Sequence, residues 1–148
     1  MIVRATDEAL FQCPFVLVED GGGAHFSDQE VIQLRENLLK GGYQGGLYAV
    51  NPGRKSVLGV PCFASLATLP ERVEHVIFAI ADTRVEGALD EVTAHGARAA
   101  TIMSSLVIEG DTDPPLRDRV LAKIRKSGLA VCGANGMGFY NFTDGIWA

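Results

Sequence analysis

The chain has 148 residues, of which 47% are hydrophobic and 21% charged, and its net charge is −5. This composition is typical of one folded domain and excludes a disordered chain. The acidic balance argues against broad nucleic-acid binding, and no apolar run approaches the ~20 residues of a membrane span. Because Asp7 and Glu8 interrupt the N-terminus, no signal peptide is predicted, and we expect a cytoplasmic protein.

Apolar runs of strand length alternate with longer stretches of helical periodicity. The predicted strands are 15–18, 47–50, 76–81, 99–103 and 128–132. The predicted helices are 27–39, one built on Val85, Leu89 and Val92 that ends at Gly96, and one built on Leu116, Val120, Leu121 and Ile124. Residues 59–63 are predicted to be an extended connection, and 66–69 a short element ended by Pro70. This alternation predicts an α/β, Rossmann-like fold: an open, mostly parallel five-stranded sheet with helices on both faces.

A glycine-rich loop follows the first predicted strand and precedes a helix whose Ser27 and Glu30 match a capping box. Its candidate ligand-contacting residues are Gly22, Gly23, Ala24 and His25. Glycines let a ligand approach the backbone, and a helix N-terminus offers N–H groups to a phosphate. The dinucleotide motif G-x-G-x-x-G is incomplete, which disfavours NAD, and Glu19 and Asp20 add negative charge. A structural glycine turn is the alternative.

A basic turn, residues 51–55, follows the second predicted strand. In an open parallel sheet, ligands bind at the carboxyl ends of strands, so Arg54 and Lys55 are candidates for contact with a phosphate. A solvated turn is the alternative. Asp82 or Thr83 is predicted to cap the next helix, and the hydroxyls of Ser104 and Ser105 could contact a ligand or only make the loop polar.

Metal and catalytic sites are not predicted. Cys13, Cys62 and Cys132 lack C-x-x-C spacing and are expected to be buried, reduced thiols. The three histidines form no cluster with acidic residues, so His75 and His95 are expected to be structural or at the surface. We find no Ser-His-Asp pattern, nucleophile elbow or P-loop.

Several segments in this order resemble the CoA-binding domain of the nucleoside-diphosphate-forming acyl-CoA synthetases, the group that includes the succinyl-CoA synthetase α subunit. The similar segments are 37–52 with its Tyr-Ala-Val-Asn-Pro end, 59–66 with Leu69-Pro70, 76–81, and 133–138 with Asn141. The sequence departs from the family pattern at the acidic residues 19–20, at Ala81-Asp82 in place of Pro-Ala, and at Ala134 and Gly136 in the last turn.

The resemblance implies that CoA is the cofactor and that it binds at the carboxyl ends of the strands. The implied contact residues are Gly22, Gly23, Ala24, His25, Val50, Asn51, Pro52, Arg54, Lys55, Ile80, Ala81, Ser104 and Ser105. Asn51, Pro52, Arg54 and Lys55 would lie near the phosphates or adenine, Ile80 and Ala81 would wall the cofactor, and the serines would face the pantetheine arm.

The function implied by the resemblance is that of the CoA-binding part of an acid–CoA ligase, inactive by itself. Residues 1–148 would then be one domain of a longer enzyme, in which ATP and ADP are handled by other domains or subunits. The expected partners are CoA and those domains, without nucleic acid or membrane, and homo-oligomer formation is left open. The alternatives are a free-standing CoA- or nucleotide-binding regulatory protein and, less favoured, an NAD-linked oxidoreductase domain.

Overall fold

A seven-stranded sheet forms the centre of the computed structural model, which describes residues 15–19, 45–57, 60–136, 140–141 and 146–147. Its strands are β1 (Phe15–Glu19), β2 (Leu47–Val50), β3 (Ser56–Val57), β4 (Val60–Phe63), β5 (His75–Ala79), β6 (Ala99–Ile102) and β7 (Ala130–Cys132). The order is β3-β4-β2-β1-β5-β6-β7, and every neighbouring pair is parallel except β3 with β4. Two short strands, β8 (Tyr140–Asn141) and β9 (Ile146–Trp147), pair separately.

All five predicted strands are present in this sheet, but the predicted number of strands is wrong. Residues 59–63 were expected to form a connection, whereas β4 pairs in parallel with β2, with Cys62 opposite Ala49. Proline in a run argues against a central strand, because it has no N–H to donate. Pro61 lies opposite Ser56 of the two-residue strand β3, and the N–H of the next residue, Cys62, donates to the Lys55 carbonyl.

The described helices are α1 (Asp82–His95) and α2 (Leu116–Ser127), and a 3₁₀ helix covers Leu66–Thr68. Gly96 ends α1 in the left-handed conformation, as the sequence predicts. The 3₁₀ helix confirms the short element expected before Pro70. The helix predicted for 27–39 lies outside the described residues, so the expectation of helices on both faces stays a prediction. No helix in the described ranges is long and apolar enough to cross a membrane.

The core lies between the sheet and the two helices. Val76 and Phe78 of β5 and Ile102 of β6 pack with Val85 of α1 and Val120 of α2 in one cluster of buried side chains. Both helices therefore cover the same face of the sheet. The alternate residues of β5 are also buried, so this strand is enclosed on both faces. This explains why its sequence is continuously apolar rather than alternating.

His75, a titratable residue at the start of β5, is buried in the sheet, with 6% of its surface exposed. Its Nε2 lies 2.9 Å from the hydroxyl oxygen of Thr101 on β6. Burial lowers the pKa of the imidazole to about 4, because charge is costly in an apolar interior. His95 accepts a hydrogen bond from the backbone N–H of Val73. Both histidines are structural, as predicted.

The cysteine prediction is correct in part. Cys62 and Cys132 are free thiols, but Cys62 is half-buried and Cys132 is exposed. The expectation that Cys132 is buried is wrong because β7, although apolar, is the edge strand of the sheet. Cys13 lies outside the described residues.

Candidate functional site

The carboxyl ends of the parallel strands meet at one edge of the sheet, and the described candidate residues lie there. Val50 ends β2 and Asn51 follows it, Ile80 and Ala81 follow β5, and Ser104 and Ser105 follow β6. Because β1 lies between β2 and β5, the first group is about 10 Å from the second. Gly22, Gly23, Ala24 and His25 lie outside the described residues.

Asn51 organises the basic turn. The residue is 2% exposed, and its Oδ1 accepts a 2.8 Å hydrogen bond from the Gly53 N–H. Its own N–H donates to the Phe63 carbonyl at the end of β4, at 2.9 Å. Among the described residues, the Asn51 Nδ2 has no hydrogen-bond partner. A buried amide without an acceptor is costly, so this group is suited to donating to a ligand.

The rest of the basic turn is open to solvent. Pro52, Arg54 and Lys55 are exposed, and the Lys55 carbonyl accepts a hydrogen bond from the Cys62 N–H at 3.1 Å. The turn is thereby fixed to β4 at one end and to Asn51 at the other, while two cationic side chains extend from it. This geometry places positive charge at the carboxyl end of β2, as the sequence predicts.

Asp82 is not the helix cap that the sequence predicts. The N-cap of α1 is Ala81, and Asp82 is the first helical residue. Its Oδ1 accepts from the Leu106 N–H at 2.6 Å and its Oδ2 from the Ser105 hydroxyl at 3.2 Å. The carboxylate therefore connects the start of α1 to the loop after β6 instead of accepting hydrogen bonds from the first N–H groups of its own helix.

The loop after β6 is fixed at several points. The Ser104 hydroxyl donates to the Ile80 carbonyl at 2.7 Å, so its oxygen remains able to accept from a ligand. The Ser104 carbonyl accepts from the Asn135 N–H at 2.7 Å. Leu106 is buried with φ 60°. Left-handed backbone is strained for a leucine, and such strain occurs preferentially at functional sites.

The loop after β7 crosses the end of β6 at very short range. Gly133 has φ 106°, and a Cβ added to it would lie 2.2 Å from the Ile102 carbonyl oxygen. Gly136 donates its N–H to the same oxygen at 3.0 Å. Only glycine fits at position 133, so the glycine-rich turn at 133–138 serves this close crossing.

A cleft of about 390 Å³ lies where these two loops meet α2. We call it the α2 cleft; its lining includes Ile102, Leu106, Arg117, Leu121, Ile124 and Ala134. This cleft was not predicted from the sequence. The apolar residues of α2 were assigned to the core, and Arg117 was given no role. Leu121 belongs to the predicted apolar stripe, yet in the structure it is 39% exposed. Within the described ranges, no three His, Cys, Asp or Glu side chains are grouped to hold a metal.

A comparison with protein-family models matches residues 27–141 to the CoA binding domain. The chain belongs to the CoA-binding domain family. The match spans the basic turn, both helices and the loop after β7, and it confirms the resemblance on which the sequence-based identification depends.

A curated relative agrees with that assignment, and solved structures share the fold. The chain is 31% identical over 111 residues to the ADP-forming acetate–CoA ligase II of Archaeoglobus fulgidus. This match covers 74% of the chain and 16% of the ligase. The chain thus spans about a sixth of that relative. The apo form of the dinucleotide-forming acetyl-coenzyme A synthetase 1 of Ca. Korarchaeum cryptofilum is 21% identical with a TM-score of 0.70, covering 88% of this chain and 28% of that one.

A shorter solved chain has the same fold. A protein from Thermus thermophilus is 21% identical with a TM-score of 0.62, and the match covers 86% of both chains. At such identity the likeness concerns the fold alone. It indicates that this fold also occurs in chains about the size of this one.

Proposed function

We propose that this domain binds CoA at the carboxyl edge of its sheet, as the CoA-binding part of an acid–CoA ligase. One observation carries the proposal above the others: the buried Asn51 Nδ2, without an acceptor among the described residues, at the base of an exposed basic turn. A ligand with phosphate oxygens would supply the missing acceptor and meet Arg54 and Lys55. The nucleotide end of CoA has this chemistry.

The remaining contacts follow from the same placement. Val50 and Pro52 would border the nucleotide end, together with Gly22, Gly23, Ala24 and His25 of the glycine loop. Ile80 is buried and Ala81 half-buried at the end of β5, where they would form the wall beside the pantetheine arm. Ser104 and Ser105 would face the far part of that arm, and because the Ser104 hydrogen is donated to Ile80, Ser104 would accept from a pantetheine amide.

The proposal assigns no chemistry to this domain alone. Activation of an acid with ATP, through an acyl phosphate, would be the work of other domains or subunits. The resemblance to a ligase of which the match covers only 16% supports this division.

The phosphate contact can be tested with a matched pair of double variants. Arg54→Ala with Lys55→Ala removes two adjacent exposed cations from the basic turn, and Arg125→Ala with Lys126→Ala removes an adjacent, exposed Arg-Lys pair from α2. Loss of charge-assisted hydrogen bonds should weaken CoA binding by roughly 1–3 kcal/mol in the first variant. Isothermal titration at constant salt measures this, with the second variant expected to bind as the wild type does.

Equal CoA affinity in both double variants would refute the phosphate assignment. NAD and ATP titrated under the same conditions serve as ligand controls. Binding of NAD as tight as that of CoA would favour the oxidoreductase alternative.

A free-standing CoA-binding protein is the second candidate, and the Thermus thermophilus chain of similar size favours it. Mass spectrometry of the native polypeptide from its source cells separates the two candidates. A polypeptide several times longer than 148 residues would support the ligase, and one of this length would support the free-standing protein.

A further inference from the structure

The α2 cleft lies on the far side of the site from the basic turn. It opens beyond the end of β6, three strands along the sheet from β2. Its volume of about 390 Å³ is within the range of small-molecule sites. Ser105, one of the proposed CoA contacts, is part of the cleft lining, so a group in the cleft would adjoin the far end of the pantetheine arm.

The walls of the cleft are held in place by interactions that do not stabilise a helix or strand. Leu106 stays in its strained backbone conformation because the Asp82 carboxylate accepts its N–H. On the opposite side, Gly133 and Gly136 bring the β7 loop directly onto the Ile102 carbonyl. Backbone strain that the surroundings maintain is a mark of preorganised sites.

The interior of the cleft is mostly apolar, with side chains of Ile102, Leu106, Leu121, Ile124 and Ala134 in its lining. Such a surface favours a hydrocarbon or aromatic group, since burying it releases water. Leu121, with 39% of its surface exposed, would lose more of its contact with water when that group is bound.

Arg117 gives the cleft one positive charge. Two other cations of α2 are paired, Arg119 with Glu86 and Lys123 with Asp90. Within the described ranges, Arg117 has no salt bridge. It lies in the first turn of α2, where the helix dipole also favours an anion. The Asp82 carboxylate, at the start of α1, is already engaged by two donors from the loop after β6.

We infer that the α2 cleft binds an apolar carboxylic acid, with the carboxylate on Arg117 and the hydrocarbon or aromatic body against Leu121 and Ile124. This inference rests on the proposed function, since it names the class of acid that the CoA thiol would meet. It also excludes acetate as the preferred acid, because acetate leaves the apolar lining uncovered.

Phenylacetate is the probe, and the backbone amide signals of Leu106, Ala134 and Asn135 in ¹H–¹⁵N spectra of the full chain are the readout. Saturable shifts at millimolar phenylacetate are expected, with and without CoA. Acetate, which has the charge without the ring, and phenylethylamine, which has the ring with the opposite charge, should each bind at least about tenfold more weakly.

Variants on one helix test the contacts. Arg117→Gln should weaken phenylacetate about tenfold or more, whereas Arg125→Gln, the same change outside the lining, should leave the affinity within about twofold. Leu121→Glu adds a carboxylate beside Arg117 and should abolish binding, while the neutral Leu121→Gln should retain part of it. All three positions are exposed, so the variants should fold.

The inference is overturned if phenylacetate shifts none of the three signals, if Arg117→Gln binds it as the wild type does, or if phenylethylamine binds equally well. CoA titrated into the same samples separates this failure from that of the proposed function. CoA binding without phenylacetate binding refutes only the acid cleft, and phenylacetate binding without CoA binding refutes the proposed function.

Discussion

The buried imidazole of His75 should make the free energy of unfolding depend on pH. In the folded protein its pKa is lowered to about 4 by burial, and in the unfolded chain it returns to about 6.5. As the pH falls below about 6.5, the unfolded chain binds a proton that the folded protein excludes. The contribution is therefore fully present above that pH and is lost as the pH falls towards about 4.

The magnitude follows from the two pKa values. At 1.36 kcal/mol per pKa unit, the difference between 6.5 and about 4 amounts to about 3 kcal/mol. At pH 5, where the folded imidazole is still mostly neutral, about 2 kcal/mol should already be lost. This is a large share of the roughly 5–15 kcal/mol that stabilises an ordinary domain.

Urea unfolding at about pH 8 and pH 5 measures this loss, and His75→Gln isolates it from the titration of carboxylates. Between pH 8 and pH 5, the free energy of unfolding should fall by about 2 kcal/mol less in His75→Gln than in the wild type. His95→Gln is the matched control: burial and the neighbouring Arg72 also lower the pKa of His95, but its side chain is half-buried. It should keep most of the pH dependence. An equal fall in His75→Gln and the wild type would refute the reasoning.

Two further predictions concern the loops of the candidate site, with urea unfolding as the measurement. Asp82→Ala should destabilise the protein by about 1.5–3 kcal/mol, because two donors lose a charged acceptor. Asp118 is an exposed acid in the first turn of α2, so Asp118→Ala should change the free energy of unfolding little. An equal effect of the two substitutions would contradict the role of Asp82. Gly133→Ala should cost at least about 3 kcal/mol through positive φ and overlap with the Ile102 carbonyl. Gly110→Ala has positive φ but open space and should cost about 1 kcal/mol, so a Gly133→Ala cost no greater than this would count against the close crossing.

The sequence was sufficient for the parts of the fold that depend on continuous apolar runs. Residues 47–50 form β2 with the predicted bounds, and Gly96 ends α1 as expected. The runs are readable because a parallel strand covered on both faces has no polar positions. β4 was missed because Gly59 and Pro61 are typical of a connection, and its pairing with β2 is a long-range interaction that no local pattern encodes.

The candidate site could be predicted only where the polar residue follows its strand directly. Arg54 and Lys55 were predicted in this way, and Asn51 from the family resemblance; their contact with a ligand stays a prediction. The contact from Asp82 to Leu106 was not, since it joins residues 24 positions apart and Asp82 also fits a helix N-terminus. The α2 cleft was missed for a related reason. Leu121 and Ile124 have the spacing of core residues, and only the tertiary structure shows that the lining of a cleft includes them.

The most direct test of the central claim is to follow ¹H–¹⁵N spectra of the wild-type chain while CoA is added. We expect saturable shifts for the Asn51 side-chain amide, the Gly53 backbone amide and the amides of Ile80 and Ala81, with NAD causing none. Saturation at these four groups would show that CoA spans the ends of β2 and β5. Unchanged signals at millimolar CoA, or shifts confined to other parts of the chain, would contradict the proposed site.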